Sequence, residues 1–216
     1  MTIDERIAKV RTAIDDSCRQ AGRNPAEVTL IAVTKGVPVE RIGDAYSLGL
    51  RDFGESKLQE ATPKIASLPE DIVWHFIGRL QSNKARRAAA TFDFIHTLES
   101  KSQLDEIGRQ DRIVDGAIQI NVASEEQKSG ISPSGLDEFV LACLNCSRVR
   151  LRGLMTIGPM LGPSKMRPYF RELREMLAKV PGGDVLSMGM SGDFVEAIQE
   201  GATHIRVGSA IFGDRA

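Results

Sequence analysis

The chain has 216 residues, with 28 lysines and arginines against 29 aspartates and glutamates and a formal net charge of -1 at pH 7. That balance excludes an overall field drawing it to nucleic acid or to an anionic membrane surface, and points to a small-molecule partner. The length fits one α/β barrel or one large domain, and three cysteines, an odd number, argue against a disulfide framework.

In chain order, the opening "MTIDERIAKVRTAIDD" mixes charges of both signs with apolar residues at helical spacing. It predicts an amphipathic helix from about Ile3 to Ala21 and lacks the continuous apolar core of a secretory signal. No later apolar run is long enough to span a bilayer, so the expectation is a cytoplasmic protein with no membrane contact. Strands are then predicted at Val28 to Thr34, Arg51 to Gly54, Val73 to Gly78, Phe94 to Thr97, Gly116 to Val122, Arg150 to Ile157, Val185 to Gly189 and His204 to Val207. Helix-periodic segments fill the gaps at Val39 to Leu48, Lys57 to Ser67, Asn83 to Ala90, Lys101 to Gln110, Gly135 to Leu144, Lys165 to Ala178 and Phe194 to Gln199.

Eight strands apolar on both faces, joined by seven helices, are the pattern of a parallel sheet closed into a (β/α)8 TIM barrel. An open doubly wound sheet is the runner-up, and the first strand–helix turn, "TKGVPVE", speaks against it because it lacks the GxGxxG spacing of dinucleotide binding. No repeat or linker-like tract breaks the chain, so residues 1–216 are expected to form a single α/β barrel domain with an extra N-terminal helix.

The first strand, in "LIAVTKGVP", ends in Lys35. A buried ammonium is costly unless it is paired or loses its proton, so this lysine either reaches back to water or has chemistry to perform. With Ile31 and Val33 facing the barrel interior, period two aims Lys35 over the mouth, where barrels of this kind place their active sites. The plainer alternative is a snorkelling surface lysine.

Three further features have plain readings. Cys143 and Cys146 form a lone CxxC near the end of a helix, with no second pair to complete a zinc site, and read as structural or incidental. "NKARRAA" carries three positive charges and no interleaved aromatic, so Arg86 and Arg87 read as a solvated helix face and no nucleic-acid site is expected. Lys128, after the fifth strand, is by default a surface lysine, with acceptance of a ligand in transit as the alternative.

The C-terminal "SMGMSGDFVEAIQEGATHIRVGSAIFG" brings two strand ends rich in small residues side by side. Ser191 is the expected N-cap of the helix that follows, and Ser191, Gly192, Gly208 and Ser209 form a candidate anion cup where barrels commonly bind phosphate. Asp193 would repel an anion unless its carboxylate serves other amides of that turn. Arg206 faces the same mouth and needs an acceptor, either a carboxylate or a ligand nitrogen with a lone pair. His204, one layer deeper, is expected to be a hydrogen-bonded core histidine.

The blocks "AVTK", "FGES", "WHFIGRLQSNK", "INVASEEQKSG", "RGLMTIGP" and the C-terminal glycine-rich stretch, in order and almost from end to end, resemble the pyridoxal phosphate homeostasis protein family. The resemblance implies the fold of the alanine racemase N-terminal barrel, pyridoxal 5'-phosphate as cofactor, and a cofactor-handling role without an established reaction. It implies that Lys35 forms a Schiff base with the cofactor. Ser191, Gly208 and Ser209 would hold the phosphate, and Arg206 would face the pyridine nitrogen. Two positions depart from the family pattern: Ser56 stands where "GEN" is usual, and Val37 replaces a frequent second lysine.

A permanently charged arginine at the pyridine nitrogen opposes its protonation and weakens the electron sink, which favours a carrier over a catalyst. The only tyrosines, Tyr46 and Tyr169, are both predicted in helices, and a racemase's second domain is not apparent. The expectation is therefore a monomeric, non-enzymatic binding protein that releases the cofactor by transimination, with cofactor-dependent apoenzymes as candidate recipients. A racemase-like enzyme is the alternative.

Overall fold

The computed structural model describes residues 1–123, 125, 128–159 and 161–213, so Ser124, Glu126 and Gln127 of the "INVASEEQKSG" block and residues 214–216 lie outside it. Eight parallel strands, β1 (Thr29–Val33), β2 (Asp52–Glu55), β3 (Val73–Phe76), β4 (Phe94–Leu98), β5 (Val114–Gln119), β6 (Val149–Met155), β7 (Val185–Met190) and β8 (His204–Val207), form a closed barrel. β8 pairs with β1 to close it, with Ile31 opposite Arg206 and Ala32 opposite Val207. Each predicted strand is present, trimmed or shifted by a few residues at its ends.

The first helix, α1 (Ile3–Gln20), opens on a capping box in which Thr2 and Glu5 exchange side-chain and backbone hydrogen bonds. Its buried residues Ile7, Val10, Ile14 and Cys18 recur every three or four positions and form one face against the barrel. The barrel helices are α2 (Val39–Ser47), α3 (Leu58–Ser67), α4 (Ser82–Thr91), α5 (Lys101–Ile107), α6 (Leu136–Leu144), α7 (Pro163–Met176) and α8 (Phe194–Gln199). A last short helix, α9 (Ser209–Phe212), follows β8 where the sequence predicts only the end of a strand. Four residues are too few to display a helical period. Among the described residues, no helix is long and apolar enough to cross a membrane, and no group of three or more His, Cys, Asp and Glu could hold a metal ion.

The main apolar core lies between strands and helices, while Phe94, Ala117, Met155 and Val185 make a separate cluster inside the barrel. Branched aliphatic side chains ordinarily fill such an interior. Here the apolar reading of both strand faces fails on one side: His75, His96, Ser187 and Arg206 are buried inside with the aromatic ring of Phe94. His204 is half-buried rather than a core residue, and it bonds Thr203 Oγ1 through Nδ1 at 2.9 Å. The three cysteines are free thiols; burial, with a smaller push from Cys146, raises Cys143 to about 12, which fits its plain reading.

The α7–α8 corner is tied by Glu200, only 4% exposed, whose carboxylate meets Arg167 at 3.2 Å and Arg171 at 3.1 Å. Burial pushes its pKa up, but Arg171 and Arg167 outweigh that and hold it below the ordinary carboxylate range. A carboxyl with a lowered folded pKa contributes stability that is complete above its unfolded value and lost as pH falls through the folded one. Urea unfolding as a function of pH is therefore expected to show a steeper acid loss of stability below about pH 4.3 in the wild type than in Glu200→Gln. Parallel acid limbs would refute the assignment.

Candidate functional site

At the C-terminal ends of β1, β7 and β8 lies a cavity of about 510 Å³, lined by Lys35, Ser56, Ser191, Arg206, Gly208 and Ser209 among others. The five residues singled out by the sequence thus share one cavity. Its walls include the apolar side chains Val33, Val37, Ile77, Ile157, Met190 and Phe212, a lining suited to a flat ring.

Lys35 is half-buried, one residue past the buried Thr34 and just before Gly36, whose positive φ of 72° turns the chain. The backbone on both sides of it is clamped by a buried charge cluster. Lys64 of α3 donates to Thr34 O at 2.8 Å and to Glu55 Oε1 and Glu60 Oε1, each at 2.7 Å. Thr34 Oγ1 donates to Glu55 Oε1 at 2.7 Å, and Gly36 N donates to Glu60 Oε1 at 2.5 Å. Burial raises the Glu55 pKa against the pull of Lys64 and Thr34. Burial acts on Glu60 too, but its hydrogen bonds to Lys64 and Gly36 N prevail and hold its carboxyl below the ordinary range.

Ser191 does not cap a helix. β7 runs to Met190 and a turn follows, so α8 begins at Phe194, where the sequence predicts it, with Asp193 as its N-cap residue. Ser191 Oγ instead accepts the amides of Gly208 at 3.2 Å and Ala210 at 3.4 Å. Two N–H groups at the start of α9 thus converge on one oxygen at the cavity. Asp193 Oδ1 accepts from Met190 N at 2.6 Å, so its carboxylate serves an amide of its own turn. A side chain at Gly208 would meet Val33 at 3.5 Å, an ordinary contact, so the fold leaves room there.

Arg206 is 4% exposed, and the acceptors of its guanidinium are neutral: Nη1 donates to Ser187 Oγ at 2.7 Å and Nη2 to Thr156 O at 2.8 Å. Burial lowers it to about 10 against the opposing pull of Asp193, so it stays charged at neutral pH. Two of its five N–H donors are spent on those contacts. Ser187 and Thr156 escaped the sequence analysis because they are small polar residues in otherwise apolar strands, and only the barrel register brings them to Arg206.

Lys128 sits apart, lining a second cavity of about 710 Å³ with Arg79, Ser82 and Glu99, and it pairs with Glu125 at 2.8 Å. Arg86 and Arg87 are exposed on α4, as a solvated face requires. Neither tyrosine lines the Lys35 cavity: Tyr46, on α2, donates to Asp71 at 2.7 Å, and Tyr169 is on α7.

Comparison with known proteins finds relatives along the whole chain. The family model of the alanine racemase N-terminal domain matches residues 11–216. A pyridoxal phosphate homeostasis protein of Aquifex aeolicus is 40% identical, the match covering 100% of this chain and 99% of that protein. One of Pseudomonas aeruginosa is 42% identical, covering 99% and 96%. Among solved structures, PipY of Synechococcus elongatus with pyridoxal phosphate bound is 35% identical with a TM-score of 0.82, covering 98% of this chain and 100% of that one. Alanine racemase from Corynebacterium glutamicum shares the fold at a TM-score of 0.71 and 16% identity, covering 98% of this chain and 63% of that one.

Proposed function

The chain belongs to the pyridoxal phosphate homeostasis protein family, and on that premise we propose that it binds pyridoxal 5'-phosphate at the Lys35 cavity and carries it without turning over amino acids. The observation that carries this reading is the meeting of a primary amine, a converging pair of amides with two serines, and a buried guanidinium in one apolar-walled cavity. Each matches one part of the cofactor. The amides of Gly208 and Ala210, with Ser191 and Ser209, suit a phosphate. The apolar walls suit the ring, Arg206 suits a ring nitrogen with a lone pair, and Lys35 suits an aldehyde. When bound, the cofactor supplies a reactive aldehyde and an electron sink.

Condensation of Lys35 Nζ with that aldehyde expels one water and gives a Schiff base, and an incoming primary amine releases the lysine by displacement with no net oxidation. Arg206 disfavours protonation of the ring nitrogen and so weakens carbanion stabilisation, while no tyrosine of the described residues lines the cavity as a base. These features favour a carrier over a racemase. We further propose that it acts in the cytoplasm as a monomer and that apoenzymes depleted of the cofactor are the recipients.

The test is spectroscopic. Adding pyridoxal phosphate to the purified protein is expected to give a visible absorbance band, and borohydride reduction should place the adduct on the Lys35 peptide; Lys35→Ala should abolish both. A band that persists in Lys35→Ala with the adduct elsewhere would overturn the assignment of Lys35. The carrier reading is checked separately by deuterium exchange at Cα across a panel of amino acids, where turnover of about 1 per second or faster would restore the racemase alternative.

A further inference from the structure

The buried polar residues inside the barrel form a continuous chain, of which the proposed function uses only Arg206. Arg206 Nη1 lies 2.7 Å from Ser187 Oγ, which lies 2.8 Å from His96 Nδ1. His96 Nε2 lies 2.9 Å from His75 Nδ1, and His75 Nε2 lies 3.0 Å from Asp52 Oδ1. The chain therefore runs from the cavity to Asp52, the first residue of β2, at the opposite opening of the barrel, where its side chain is 29% exposed.

Its direction is forced by the two ends. A guanidinium has no acceptor and a carboxylate has no hydrogen to give, so with both rings neutral donation can only run from Arg206 towards Asp52. Ser187 accepts from Arg206 and passes its own hydrogen to His96 Nδ1. His96 then carries its proton on Nε2 and gives it to His75 Nδ1, and His75 carries its proton on Nε2 and gives it to Asp52. In that chain each ring is fixed in a single tautomer. Burial above all keeps His96 well below the usual histidine range. The third histidine, His204, has its ring 6.1 Å from His96 and 6.3 Å from His75 and bonds Thr203, so it stands beside the chain and not in it. Phe94 packs against both relay rings, tilted on His96 at 4.3 Å and stacked on His75 at 5.7 Å.

We propose that Ser187, His96, His75 and Asp52 are positioning residues that hold Arg206 as a fixed donor to the cavity through a one-way hydrogen-bond relay along the barrel interior. The relay supplies what the guanidinium otherwise lacks. Its hydrogen-bond acceptors are a hydroxyl and a carbonyl, and a hydroxyl that donates onward is polarised into a stronger acceptor. Asp52 closes the chain with the negative charge that the buried cation does not contact directly. The relay itself stands on this geometry alone, while its effect on a bound cofactor rests on the function proposed above.

Two experiments separate those parts. In the unloaded full-length protein, long-range proton–nitrogen correlation of the labelled imidazoles should show His75 and His96 each carrying its proton on Nε2 and none on Nδ1 at neutral pH. Either ring protonated on Nδ1, or His96 charged at neutral pH, would overturn the relay, and this result does not depend on cofactor binding. In the loaded protein, Ser187→Ala and Asp52→Ala are expected to move the pH midpoint of the visible absorbance band by about one unit, a tenfold change in the underlying equilibrium. Ser187→Thr, which keeps the hydroxyl, should restore it. Asp184→Ala removes a carboxylate paired with Arg152 and outside the relay, and it should leave the midpoint in place. Equal shifts in Asp52→Ala and Asp184→Ala would mean a simple field effect and would overturn the proposal, as would an unmoved midpoint in Ser187→Ala. Should Ser187→Ala not fold, Asp52→Ala at the partly exposed end decides the matter by the same comparison. A protein that takes up no pyridoxal phosphate would sink the proposed function and leave the imidazole measurement to judge the relay.

Discussion

Replacing Lys64 by methionine is expected to destabilise the barrel by about 3–5 kcal/mol, the cost of leaving buried charges without their partner. Glu55 is 0% exposed, and its Oε2 has no hydrogen-bond partner, so Lys64 and Thr34 on Oε1 are what its carboxylate rests on. Methionine preserves much of the stem's volume and removes the ammonium, which strands Glu55, Glu60 and the Thr34 carbonyl together. For a chain of this size the loss should appear as a fall in Tm of about 6–20 °C. Adding Glu55→Gln removes one stranded charge, so the double variant should be less destabilised than the sum of its parts. A Lys64→Met protein as stable as the wild type would show that the cluster is held by something other than its cation. The same bonds fix Thr34 and Gly36, on either side of Lys35, so this variant should also loosen the amine that the proposed function uses.

This cluster marks the boundary of what the sequence makes legible. Glu60 and Lys64 stand four apart on α3, a spacing that by itself describes an ordinary exposed helix pair. Only the packing of α3 over the end of β2 buries Lys64 against Glu55 and turns a surface pair into a support for the first strand end. The relay is hidden for a related reason. His75, His96, Ser187 and Arg206 belong to four different strands, and their meeting depends on register around the closed barrel, which no local pattern encodes. Lys35, Ser191, Arg206, Gly208 and Ser209 were legible because each sits at or near the end of an apolar run, and closing the barrel sends all such ends to one face. The family resemblance supplied their grouping as cofactor contacts. It did not supply the bonding of Ser191, which the N-cap rule misassigned because the turn over residues 191–193 separates it from the helix.

The phosphate group should account for about three to four orders of magnitude in affinity, measured as the ratio of dissociation constants for pyridoxal and pyridoxal 5'-phosphate. Two amides and one hydroxyl, at about 1.5–3 kcal/mol for each hydrogen bond to a charged group, give about 4.5–9 kcal/mol. Against this stands the loss of the two bonds that Gly208 N and Ala210 N now make to Ser191 Oγ, at 3.2 and 3.4 Å. At about 0.5–1.5 kcal/mol each for neutral pairs, they subtract about 1–3 kcal/mol. The middle of the remaining range is about 5 kcal/mol, which is between three and four decades in Kd. Inorganic phosphate should compete with pyridoxal phosphate and not with pyridoxal, which distinguishes the anion cup from the ring pocket. Gly208→Ala tests the cup without disturbing the barrel, since its new methyl meets Val33 at an ordinary 3.5 Å while standing where an anion must approach the backbone. Its effect should fall on pyridoxal phosphate and spare pyridoxal, and thermal unfolding should show the variant as stable as the wild type. Equal affinities for the two aldehydes in the wild-type protein would place the phosphate outside this cup and remove Ser191, Gly208 and Ser209 from the site.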